Sequence, residues 1–142
     1  MPASAKPRKP YRPRAIGRPV LNRMRNDLIL PAYSALEVLR ASTDADALES
    51  ARHTLAAFLN VLLASTFHRQ DRSPIPAGLD AMQAIVDRQE RTGIYRATGG
   101  ELQALRTAVV YADDVLPLLR TDQLIAAMRR VDLVMQRMEA QA

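Results

Sequence analysis

From Asp27 onward apolar residues recur at intervals of three and four and never cleanly at two, the signature of amphipathic helices. Leu28, Ala32, Ala35, Leu36 and Leu39 form one stripe and predict a first helix over about 28–41. Pro31 is then placed in or near the first turn, where its missing N–H costs nothing. Thr43 and Asp46 stand at capping-box spacing, with Asp in place of Glu. Beyond them Leu48, Ala51, Leu55, Phe58, Leu62 and Thr66 continue one face and predict a second helix over about 44–68. The two prolines of Arg69–Pro76, among polar neighbours, predict a loop. A third helix follows over about 77–91, with Leu79, Met82, Ile85 and Val86 inward and Gly93 where a helix end wants a left-handed residue. Ile94–Ala97 reads as an extended connector. Thr98 and Glu101 form a second capping box, opening a helix whose face is Leu102, Leu105, Val109, Ala112, Val115 and Leu116 until Pro117 ends or kinks it. Thr121 or Asp122 caps a last helix to about Glu139, whose Leu124, Met128, Val131, Met135 and Met138 make a heptad-like seam.

Short connections force neighbouring helices to pack antiparallel, so the expected fold is all-α. It is a bundle of four to five antiparallel helices over 27–142, preceded by a disordered, basic, proline-rich arm over 1–26. In this reading the Met-rich seam belongs to the core. Its functional alternative is a self-association face that makes a homodimer, since Met adapts to irregular surfaces.

Composition narrows the function classes. With 142 residues, 48% of them hydrophobic, the chain can bury one core without covalent staples. The absence of cysteine excludes disulfides, thiolate catalysis and zinc sites built on Cys. Pro2–Arg25 is polar and proline-broken, unlike an export signal, and no apolar run approaches the roughly 20 residues of a membrane span. A cytoplasmic protein with no membrane partner is expected. Six aromatics and no Trp leave too little for a base-stacking platform.

Candidate chemistry is sparse. His53 stands four residues after Glu49, but paired helical metal sites use Glu and His three apart with further carboxylates, and His68 has no such company. Asp113 and Asp114 point about 100° apart on a helix and read as a solvated face opposite Val109 and Leu116. Gly99 and Gly100 lack the preceding strand and the following Lys of a phosphate loop, and fit the first turn under Thr98. Ser65 and Thr66 lie near His68, yet no acidic member or oxyanion donor completes a triad. No catalytic, cofactor-binding or metal-binding residue is assigned, and the chain is read as a non-enzyme.

Charge is the informative feature. The first 25 residues hold Lys6, Arg8, Lys9, Arg12, Arg14, Arg18, Arg23 and Arg25 with no acid, while 26–142 hold 12 Lys+Arg against all 15 Asp+Glu. The remainder is therefore at about −3 although the whole chain is +5. A polycationic segment of this kind seeks phosphate, anionic lipid or an acidic protein surface. These eight cations, together with Tyr11, are the candidate residues for binding nucleic acid or such a partner. Alternating proline favours a polyproline II chain in which 20 residues reach roughly 60 Å. An acidic body repels DNA, so contact would be confined to the arm and of low sequence specificity.

Several resemblances add to this. Gly17-Arg18-Pro19 resembles the core of AT-hooks, without the adjacent Pro-Arg because Ala15 and Ile16 intervene. The Pro/Arg alternation is similar to that of proline-rich peptides that bind ribosomal RNA. Lys9-Pro10-Tyr11-Arg12-Pro13-Arg14, with Arg88-Gln89-Glu90-Arg91-Thr92-Gly93 ahead of the helix at Glu101, resembles small uncharacterised all-helical proteins encoded by proteobacterial phages and prophages. That resemblance implies a phage-type accessory protein and supplies no catalytic residues. Some such proteins carry regulator labels, but no tight glycine turn with a basic second helix forms a helix-turn-helix here. Two functions follow: an arm that binds nucleic acid beside a bundle that mediates protein contacts, or a protein-binding inhibitor or adaptor of a host nucleic-acid machine or defence complex.

Overall fold

The computed structural model describes residues 18–65 and 73–141, with side chains from Asn22 onward. Five α-helices follow one another with no strand among the described residues: α1 (Arg18–Ala41), α2 (Ala45–Ala64), α3 (Pro74–Thr92), α4 (Gly99–Val115) and α5 (Thr121–Gln141). A single 3₁₀ turn, Leu116–Leu118, separates α4 from α5. The all-helical bundle that the periodicity predicts is the fold.

Helices α1 to α4 close a ring in which α1 packs on α2 and α4, and α3 on α2 and α4. α2 also touches α4 across the middle and carries α5 on its outer side. The centre is aliphatic: Leu55, Leu59, Leu62, Ile75, Ile85, Leu105, Val109, Leu116 and Leu124 are all fully buried. Leu55, the middle of the longest predicted stripe, lies where that stripe places it.

α1 departs most from expectation, starting ten residues earlier than position 28 and carrying Pro31 in its interior. The apolar stripe in fact begins at Met24 and Leu28, both packed against the core, and continues through Ile29, Ala32, Ala35 and Leu39. Proline inside a helix costs about 3 kcal/mol, and here burial on both sides of Pro31 offsets it. Pro19 falls in the first turn, where the ring is tolerated.

Three caps differ from the pattern in detail. Asp44, not Thr43, caps α2, its carboxylate accepting the Ala47 N–H at 3.2 Å. Asp is the stronger acceptor at that position and the box with Asp46 does not form. α2 is described to Ala64, so Thr66, His68 and the rest of the predicted helix end lie outside the described residues. α3 begins at Pro74 instead of 77, because prolines 74 and 76 occupy the first turn, whose N–H groups have no intrahelical acceptor. α5 takes its first backbone bond from Leu124 N–H to the Arg120 carbonyl, which puts Thr121 inside the helix and not at its cap. Elsewhere the signals hold. Gly93 closes α3 at φ 74°, and the Thr98–Glu101 box opens α4 with both of its hydrogen bonds made.

The seam of α5 is only half a core element. Leu124 and Ala127 are buried and Met128 and Val131 pack against the core, but Met138 is 66% exposed. α5 rests mainly on α2, and from Asp132 onward all of its residues but Met135 are exposed.

Candidate nucleic-acid interface

Of the candidate binding residues, Lys6, Arg8, Lys9, Tyr11, Arg12 and Arg14 lie outside the described residues. The other three are helical. Arg18 is the first residue of α1 and Arg23 is exposed on its second turn. They are therefore spaced by a helix of about 1.5 Å rise per residue, not by an extended chain.

Arg25 is committed elsewhere. Its guanidinium donates from Nε (3.0 Å) and Nη2 (2.6 Å) to Asp113 Oδ1 on α4, and the Tyr33 hydroxyl donates to Asp113 Oδ2 at 3.2 Å. The pair is partly buried, with side-chain exposures of 33% and 26%, which lifts it above the usual surface ion pair. Its work is to clamp α1 onto α4. Two expectations change with it. Arg25 is held in an ion pair, and Asp113 is not part of a merely solvated face; Asp114 beside it is exposed as expected. The Tyr33 phenol is held above its ordinary value, first by partial removal from water and then by the negative charge of Asp113.

A second ion pair was invisible in the local pattern. Arg88 on α3 forks onto Glu101, Nη1 to Oε1 at 2.8 Å and Nη2 to Oε2 at 2.5 Å, and donates to the Arg96 carbonyl at 2.7 Å. Glu101 Oε1 also accepts the Thr98 N–H at 2.8 Å. One carboxylate thus caps α4 and ties it to the end of α3 across the connector. Arg88 holds the Glu101 carboxyl below its ordinary range, against the opposing effect of burial. Arg88, Thr98 and Glu101 thus close the α3–α4 hairpin.

The remaining polar candidates have local roles. His53 is exposed, 3.7 Å from Glu49 Oε1 and 3.3 Å from Arg52 Nη2. No group of three or more His, Asp or Glu converges for a metal among the described residues. The Ser65 hydroxyl is buried and donates to the Val61 carbonyl at 2.8 Å, the bond of a helix end. Gly99 and Gly100 occupy the first turn of α4 under Thr98. No helix among the described residues is long and apolar enough to cross a membrane.

The site that remains is one of charge placement. The basic segment joins the body at the N-terminus of α1, the end at which aligned peptide dipoles already carry partial positive charge. Arg25–Asp113 fixes that helix to α4 directly behind it. Comparison with protein-family models, curated proteins and solved structures gives no match to this chain.

Proposed function

We propose that this chain is a non-enzymatic, phage-type accessory protein whose basic N-terminal segment binds the phosphate backbone of nucleic acid, and whose helical bundle carries protein contacts. The observation behind this reading is the charge division: eight cations and no acid in the first 25 residues, against a remainder at about −3. With Arg25 neutralised by Asp113, seven cations are left for phosphate, among them Arg18 and Arg23 at the positive end of α1. Arg suits the task because its planar guanidinium meets phosphate oxygens bidentately. Backbone contact of this kind is insensitive to sequence, in keeping with a body whose net charge repels the duplex.

The competing reading is an inhibitor or adaptor whose segment docks on an acidic surface of a host protein. Capture of the tagged chain from cell lysate, with and without nuclease, separates the two. The phosphate reading expects co-purifying nucleic acid and loss of most captured protein after nuclease. A defined protein retained after nuclease, with no nucleic acid beforehand, would replace it by the adaptor reading.

A further inference from the structure

No further inference is drawn: the strongest candidate, the apolar groove between α2 and the second half of α5, lined by Ala56, Ala57, Val134, Met135 and Met138, carries none because nothing in the structure shows what covers it.

Discussion

Gly78 lies where α3 packs closely on α4, and replacing it by Ala sets two effects against each other. A Cβ built on Gly78 would stand 2.7 Å from the Ala108 Cβ and 3.2 Å from Leu59 Cδ1, where ordinary contact begins near 3.4 Å. The Leu59 methyl ends a flexible side chain and can yield. The Ala108 Cβ cannot, because it is fixed to the backbone of α4, so the helices themselves must separate. Ala108 and Leu59 are both fully buried, leaving no solvent side toward which the strain could relax. Against this, Ala is favoured over Gly in a helix interior by about 1 kcal/mol. Overpacking a dense core costs about 1–3 kcal/mol, and a contact this short belongs in the upper part of that range. Gly78→Ala is therefore expected to destabilise by about 1–2 kcal/mol net, a fall in Tm of roughly 4–8 °C by thermal or urea unfolding. Ala108→Gly in the same background removes the colliding methyl. The double variant should be more stable than the sum of the two single changes by about 1–3 kcal/mol. A Gly78→Ala variant that melts higher than wild type, with additive behaviour in the cycle, would show that propensity governs the site and that α3 and α4 are not in contact there.

Three further outcomes are expected. Leu55→Asp places an unpaired carboxylate at a fully buried position in α2 and should abolish cooperative unfolding, at a cost of more than about 4 kcal/mol; a melting curve like that of the wild type would misplace the core. Arg25→Ala breaks the clamp to Asp113 and should cost about 1–2 kcal/mol while leaving the salt dependence of nucleic-acid binding unchanged, whereas a flattened dependence would return Arg25 to the phosphate-binding set. Because the Glu101 carboxyl is held below its ordinary 4.5, its contribution to stability is complete above that pH and disappears as pH falls through the lowered folded value. The Tm difference between wild type and Glu101→Gln should accordingly be constant near neutrality and close in acid, below the ordinary 4.5, as pH falls through the lowered folded value; a difference that persists in strong acid would mean that the charge of Glu101 is not what ties α3 to α4.

Elements were legible in the sequence wherever periodicity and a cap agreed. α4 shows this best, since Thr98, Glu101 and the face from Leu102 to Leu116 locate it to within a residue or two. The errors have physical causes. Arg18–Arg25 reads as a charged run interrupted by Pro19, yet Met24 and Leu28 extend the stripe of α1 and pull those residues into the helix. The pairing of Arg25 with Asp113 spans 88 positions and leaves no trace in local spacing, which on its own groups Arg25 with the arm and Asp113 with the solvent. Prolines 74 and 76 punctuate a chain equally well before a helix or in its first turn, and only the packing of Ile75 against the core selects the latter. The period of α5 identifies its apolar face but carries no information on how far that face is covered, and Met138 at its end is 66% exposed.

The central claim is that the N-terminal basic segment neutralises phosphates, and the salt dependence of duplex binding measures it most directly. With about six of the seven cations other than Arg25 engaged, log affinity against log salt should have a slope of about −5, each phosphate contributing about 0.9. Replacing Arg12, Arg14 and Arg18 by Ala should flatten that slope by about 3 and weaken random and A·T-rich duplexes equally. Selective loss on A·T-rich DNA would instead assign Arg18 to the minor groove. An intact protein that binds no duplex or RNA at low salt, or binds with a slope near zero, would contradict the claim.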